Sequence, residues 1–380
     1  MENALNLVRE VSGRGAHFKT TDNSRTGSYA MRVTAAVFVL ALALPAWAGG
    51  RGDEHAFKVL APIVRGNLAI FPVLSTHSYD ASQFITLDEG VRTGQVTVSE
   101  AGEDRGLVRP GQPVPPPRGG ADVNRLVLYN NSSRPLLLLA GEIVTGGKQD
   151  RVIGSDRIVP PKAGPIDLGV FCVEPGRWVA SSSNFGSMGV QMAQPSVRTP
   201  AMAERDQNQV WAKVRTSNAK VAAQLSAPEA ASIGGTSSYA KVFASQQVAK
   251  VATQYGGKDS EQAILRELRG KDALGVVVAV NGRVVWADVF ASTELLSKYW
   301  SKLMHSYIAE AMTSEKNGTA PDQREAELYM NGLSGGREVV ETEANVFQRT
   351  DITGDGYRVF ELTSLIPKTG FVVHVTKMRQ

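Results

Sequence analysis

The sequence predicts an α+β fold: a β-rich, sandwich-like N-terminal part, then a mixed part with two to three helices, a β-hairpin and closing strands. Three observations predict it. Short apolar or alternating runs separated by Gly, Pro, Asn and Asp fill residues 57–173, a spacing that suits an all-β sandwich or barrel. Asn281-Gly282 stands between two apolar runs, and both residues accept the positive φ of a tight hairpin turn. Immediately afterwards, apolar residues recur at spacings of three and four, the period of an amphipathic helix.

In chain order, the first legible feature is an export signal. Met31-Arg32 precedes an apolar run from Val33 to Leu44 and then Pro45-Ala46-Trp47-Ala48. One positive charge, about a dozen apolar residues and a small-x-small site ending at Ala48 are what export and cleavage require. A membrane-spanning helix needs about 20 apolar residues, and no Cys follows to accept a lipid, so no stable membrane anchor is expected. Residues 1–30 then read as a mis-assigned upstream extension, 31–48 as a signal peptide cleaved after Ala48, 49–185 as the β-rich domain and 186–380 as the α+β domain. The expected location is periplasmic or secreted.

Removing residues 1–48 takes five basic and three acidic residues from totals of 41 and 37, leaving a net charge of +2. Both signs are interspersed, whereas nucleic-acid binding draws on Lys and Arg clustered along one face, so no nucleic-acid partner is expected. Cys172 is the sole cysteine, which excludes an internal disulfide and leaves stability to packing.

The expected strands of the first part are Phe57–Ile63, Leu68–Leu74, Phe84–Leu87, Gln95–Ser99, Arg125–Tyr129, Leu136–Ile143, Val152–Val159 and Ile166–Val173. Residues 109–120 hold five prolines and cannot join a ladder. Beyond a Ser, Gly and Pro-rich stretch at 181–200, one helix is expected around Val210, Trp211 and Val214, and a second from Tyr239 to Tyr255 after a loop at Ser226–Ser238. The hairpin pairs Leu274–Val280 with Arg283–Phe290. The following helix carries Leu295, Leu296, Tyr299, Trp300, Leu303, Met304, Tyr307, Ile308, Ala311 and Met312 on one stripe, with Lys298, Ser301, Lys302 and Glu310 assigned to the other side. Strands Glu338–Gln348, Tyr357–Leu362 and Phe371–Val375 close the chain.

Charged and amide residues concentrate in one run, Gly141–Trp178. Glu142, Lys148, Gln149, Asp150, Arg151, Glu174, Arg177 and Trp178 are its candidate binding residues, with Gly146 and Gly147 as a backbone turn. Two arrangements are open: a polar pocket walled by Trp178, with Lys148 or Arg151 steering an anion, or a salt-bridge network that fixes strand register. A phosphate loop fails, because counting from Gly141 puts Gly147 where the lysine belongs.

The segments GE-x-x-x-GGKQDR, DR-x-VPP and CVEPGRW in this run resemble the signature of the bacterial ARPP-1 domain family. The match falls at Gly141, Glu142, Gly146, Gly147, Lys148, Gln149, Asp150, Arg151, Glu174, Gly176, Arg177 and Trp178. The family name implies a neighbourhood with ADP-ribose chemistry and supplies no reaction.

Other chemistries are not indicated. Cys172 lies in an apolar strand and reads as a small buried hydrophobe. The histidines 55, 77, 305 and 374 are scattered singly, without zinc spacing. Asp351-x-Thr353-x-Asp355-Gly356 opens like a calcium loop but has Leu362 at its twelfth position, so it reads as a Gly-Asp-Gly turn. Ser181, Ser182 and Ser183 lack a nucleophile-elbow context. No cofactor is expected and no catalytic residue is assigned. The functional expectation is an exported soluble protein binding a small polar or anionic ligand or a partner protein. A hydrolase using Glu142, Asp150 and Glu174, with Arg151 stabilising negative charge, is the enzymatic alternative; a scaffold with the motif as a buried network is the other.

Overall fold

A computed structural model describes residues 57–100, 125–176, 184–255, 257–314, 318–319, 321–333 and 336–380. The expected leader, the residues upstream of it, the proline-rich segment, Arg177 and Trp178 lie outside the described residues. The described strands are β1 (Lys58–Val59), β2 (Ile63–Arg65), β3 (Leu68–Leu74), β4 (Ile85–Thr86), β5 (Val96–Glu100), β6 (Arg125–Asn130), β7 (Leu136–Leu138), β8 (Glu142–Gly146), β9 (Arg151–Ile153), β10 (Arg157–Val159), β11 (Ala163–Cys172), β12 (Asn184–Met192), β13 (Gly275–Val280), β14 (Arg283–Phe290), β15 (Arg337–Glu343), β16 (Phe347–Gly354), β17 (Tyr357–Ser364) and β18 (Val372–Arg379). The helices are α1 (Leu87–Arg92), α2 (Pro195–Thr199), α3 (Gln207–Ala222), α4 (Ala227–Ile233), α5 (Tyr239–Phe243), α6 (Gln246–Ala252), α7 (Gly257–Gly270), α8 (Thr293–Met312) and α9 (Gln323–Asn331), with a π-turn at Pro200–Glu204 directly after α2.

The fold is α+β with a β-rich first part. That part closes as a barrel in the order β11-β6-β5-β12-β8-β9, not as a sandwich, because the short β9 pairs with β8 on one side and β11 on the other and leaves no edge. Period-2 alternation turns Val96, Val98, Leu126, Leu128, Val144, Leu168 and Val170 into one apolar cluster. A small sheet β10-β7-β4 adjoins it.

The second sheet is antiparallel, in the order β1-β3-β13-β14-β18-β17-β16-β15 with β2 beside β3. It spans the expected boundary near residue 185, since β3 pairs with β13 from Leu68↔Val280 to Val73↔Gly275. The β13–β14 turn is built as expected: Asn281 and Gly282 both have positive φ, 52° and 76°. Asp355-Gly356 forms the β16–β17 turn, with Gly354 paired to Tyr357. Helix α8 begins at Ser292, whose hydroxyl accepts from the Leu295 amide. It buries Leu295, Leu296, Tyr299, Trp300, Leu303, Met304, Tyr307 and Ile308 in the main core, with Trp286, Phe290 and Leu362 among their neighbours there.

Several local expectations change. The Phe84–Leu87 run is only two residues of strand; Thr86 and Glu89 form a reciprocal capping box that turns the chain into α1. The Tyr239–Tyr255 helix is broken, because the Ser245 side chain accepts from the Val248 amide and starts α6 anew. The Ser226–Ser238 loop contains α4, capped by Ser226 and Glu229. The two to three expected helices thus gain α4, α7 and α9; α7 and α9 are polar on average, and each buries only a narrow apolar face, Ile264 and Leu268 in one and Ala326 and Met330 in the other. Glu338–Gln348 is two strands, turned at Asn345 with φ 60°. Lys302, placed on the solvent side from its polarity, is 2% exposed. Its position lies at the edge of the apolar stripe of α8, seven residues after Leu295, and it is held there by carboxylates rather than by water.

Truncating Leu303 to Ala removes a fully buried side chain and should destabilise the chain by about 2–5 kcal/mol. Equilibrium urea unfolding measures this, and a loss under about 1 kcal/mol would contradict the placement of α8 at the centre of the core.

Candidate functional site

The structure brings together only part of the ionic motif. The β8–β9 turn carries Gly146–Asp150, and the end of β11 runs into Glu174. Asp150 Oδ2 accepts from Ser238 Oγ at 2.6 Å, its Oδ1 accepts from the Gly146 amide at 3.2 Å, and its own amide donates to Glu174 Oε2 at 3.2 Å. Gln149 Nε2 donates to the Glu174 carbonyl at 3.0 Å. The Arg151 guanidinium lies 3.9 Å from Glu100, whose carboxylate also accepts from the Lys148 amide at 2.9 Å. Lys241 reaches Glu174 at 3.6 Å. Gln149, Asp150, Arg151 and Glu174 are all buried, and Lys148 is half-buried. These residues therefore form a closed network tying β5, β8, β9, β11 and α5.

Glu142 turns elsewhere. Its carboxylate accepts from the Leu139 amide at 2.8 Å and from Lys302 Nζ; Lys302 also lies 2.8 Å from Asp88. Burial pushes the Glu142 carboxyl up, against the pull of Lys302. For Lys302, burial opposes the charge, but Glu142 and Asp88 outweigh it and raise the ammonium above its usual range. Cys172 is buried in β11, and burial pushes its thiol up to about 11, far from a reactive thiolate.

A second buried network carries more connections. Asp288 on β14 accepts a two-pronged contact from Arg198 of α2, at 3.1 and 3.2 Å. It also accepts from Trp286 Nε1 at 2.9 Å, Tyr307 Oη at 2.6 Å and Thr376 Oγ1 at 2.9 Å. The Arg198 guanidinium stacks on Trp286 at 4.4 Å. Its stem packs on Gly141, whose φ of 96° and absent Cβ make the approach possible: a Cβ there would sit 2.6 Å from Arg198 Nε. His374 of β18 stands between two carboxylates. Its Nδ1 is 2.6 Å from Asp156 and its Nε2 is 3.3 Å from Asp288, the latter an ionic contact without hydrogen-bond geometry. Burial opposes the imidazolium, yet Asp156 and Asp288 outweigh it and push the pKa up to about 9. Burial likewise disfavours the Asp288 carboxylate, and Arg198 and His374 reverse this and hold it well below the usual range.

Asp156 belongs to the DR-x-VPP segment and sits in the β9–β10 turn. With Gly154 and Ser155 it forms one wall of a cleft of about 140 Å³. The opposite wall is one face of β15, β16 and β17, with Val339, Glu341, Arg349, Asp351, Arg358 and Phe360; Met202 of the π-turn and Arg205 complete it. Arg358 pairs with Asp351 through two contacts of 2.8 and 2.6 Å and donates to the Ala203 carbonyl at 2.7 Å. Arg349 pairs with Glu341. Arg205 is different. It ends the π-turn in left-handed backbone, φ 53°, donates to Ser155 Oγ at 3.1 Å, and forms no ion pair among the described residues. Burial and the neighbouring Arg349 both lower its pKa.

Reading the sequence alone did not single out Arg198, Arg205, Asp288, Arg349, Arg358 or His374. Asp288 and His374 interrupt otherwise apolar strands, a usable signal, because a charge at a buried strand position must be paired. The arginines of the cleft come from distant segments and share no spacing.

The chain belongs to the ARPP-1 family, described as the ARG and Rhodanese-Phosphatase-superfamily-associated Protein domain, whose model matches residues 56–378. No curated protein and no solved structure matches it.

Because His374 titrates near 9 in the folded chain against 6.5 for a free imidazole, the native state binds more protons than the unfolded state between those values. The stability this contributes is complete below about pH 6.5 and is lost as pH rises toward 9, a change on the order of 3 kcal/mol. Lys377 acts in the opposite sense but only above pH 8, since burial lowers its pKa to about 8. Urea midpoints of the wild type should therefore fall between pH 6.5 and 8, and those of His374→Gln should not; parallel profiles would refute the placement of a charged imidazole.

Proposed function

We propose that this chain is an exported ligand-binding protein, and that the cleft between the β9–β10 turn and the β15–β17 face takes a small anion. The observation that carries this reading is Arg205. Its guanidinium lines the cleft from the exposed end of the π-turn, is held there by Ser155 Oγ, feels Glu341 and Asp351 without pairing with either among the described residues, and so can take an anion. The cleft also joins three segments that are remote in sequence, as ligand sites between packed elements commonly do.

The ionic motif supports this cleft from behind. Its Asp150–Glu174–Arg151 set is buried and committed to backbone amides, Ser238 and Glu100, so it serves as a frame for the barrel that presents Gly154–Asp156. The hydrolase alternative draws on Glu142, Asp150 and Glu174, which are 0%, 2% and 2% exposed; none is positioned to meet a substrate. Export is supported by the leader's charge, apolar length and Ala46-Trp47-Ala48 cleavage site, and by a family match that begins at residue 56, beyond that site.

Two measurements test the reading. Sequencing the N-terminus of the secreted product should return Gly49, and a retained Met1 or Met31 would refute export by this leader. In thermal melts of the mature protein, small anions in the millimolar range should raise Tm, and Arg205→Gly, which relaxes the left-handed backbone while deleting the cation, should abolish the shift. A Tm that no anion moves, or a shift that survives in the variant, would refute the site.

A further inference from the structure

We propose that the cleft selects a singly charged small carboxylate that carries a hydroxyl or ammonium donor, and discriminates against a doubly charged anion such as the phosphate dianion. This rests on the reading of the cleft as an anion site and specifies what that site takes.

The pairing pattern sets the charge. Arg349 is neutralised by Glu341, and Arg358 by Asp351. The fork of Arg358 is further occupied by the Ala203 carbonyl, and Arg349 Nη1 lies 3.4 Å from the Asp156 carbonyl. Arg205 gives one donor to Ser155 Oγ and none to a carboxylate among the described residues, and one planar guanidinium matches one carboxylate through two parallel hydrogen bonds. A second negative charge on the ligand would meet a lining in which Asp156, Glu341, Asp351 and Glu361 outnumber Arg205, Arg349 and Arg358, with Glu204 acting on Arg358. Once the first charge is matched by Arg205, the surplus is negative, and a partly desolvated cleft screens it less than water does.

The same carboxylates set the rest of the ligand. Ionised Glu341 and Asp351 can only accept hydrogen bonds, so a group lying against them is favoured when it donates. Met202, Val339 and Phe360 supply the apolar remainder of the wall, and about 140 Å³ limits the occupant to a small molecule. His374, beneath Asp156, stays protonated between pH 6 and 8, so the charge behind the cleft does not change across that range.

Calorimetric titration of the mature chain with acetate, glycolate and inorganic phosphate at pH 6 and pH 8 tests this. Glycolate should bind several-fold more tightly than acetate at both pH values. At pH 8 it should bind at least tenfold more tightly than phosphate, whose own affinity should fall several-fold from pH 6 as it takes its second charge. Arg205→Gly should abolish glycolate binding, and Arg205→Lys, which keeps the charge but loses the fork, should weaken it. Phosphate binding at pH 8 as tightly as glycolate, or acetate matching glycolate, would overturn the selectivity and leave the anion site standing. Binding of none of the three anions, or binding indifferent to Arg205→Gly, would overturn the site itself.

Discussion

A carboxylate removed from solvent is the constraint on which the rest of this structure depends. Asp288 is completely buried, and a lone ion there would be prohibitively costly. Its neighbours meet that cost jointly: a forked arginine, an indole, a phenol and a threonine hydroxyl direct protons at two oxygens, and an imidazolium adds its charge beside them. These groups come from four elements. Arg198 belongs to α2, Tyr307 to α8, Thr376 and His374 to β18, and Trp286 to the same strand as Asp288. Satisfying one charge therefore fixes helix, sheet and connecting segment together, and removing any partner leaves the others uncompensated.

His374 extends that lock to the barrel. By bridging Asp288 and Asp156 it ties the centre of the large sheet to the β9–β10 turn, and Arg198, lying on Gly141, ties the same centre to the start of β8. The cleft is the outer edge of this seam. Where the β9–β10 turn stands against the face of β15–β17, the ion pairs of Arg349 and Arg358 brace one wall, Asp156 anchors the other, and the π-turn after α2 delivers Arg205 between them. The proposed ligand cleft is thus a consequence of how two β assemblies are held, rather than of any one motif.

The parts of the fold visible in the sequence are those whose signal is local. The Asn281-Gly282 hairpin and α8 are written within 40 residues of chain, and strands such as Leu68–Leu74 agree to the residue. Barrel closure is not local: nothing near Arg151–Ile153 says that so short a strand pairs on both sides. Helices α4 and α7 were obscured by polarity, although the Ser226 and Glu229 capping pair was readable. Lys302 illustrates a different failure. The sequence reading set it opposite the apolar stripe; it stands at the stripe's edge, seven residues after Leu295, where Glu142 and Asp88 supply what water would have. At the site, the motif from Gly141 to Glu174 was recognised as special, and Gln149, Asp150 and Glu174 do converge, but in a closed frame from which Glu142 turns away. The cleft beside it uses Asp156 from the same run, together with arginines at 205, 349 and 358 that only tertiary packing assembles.

The most direct measurement on the lock that organises both core and cleft is the protonation state of His374, read from ¹⁵N and ¹³C imidazole shifts of the mature protein across pH 6–10. A ring that is doubly protonated at pH 7.5 and titrates near 9, with both N–H protons protected from exchange, is what the bridged carboxylates predict. A neutral imidazole at pH 7.5, titrating at or below 6.5, would contradict the account.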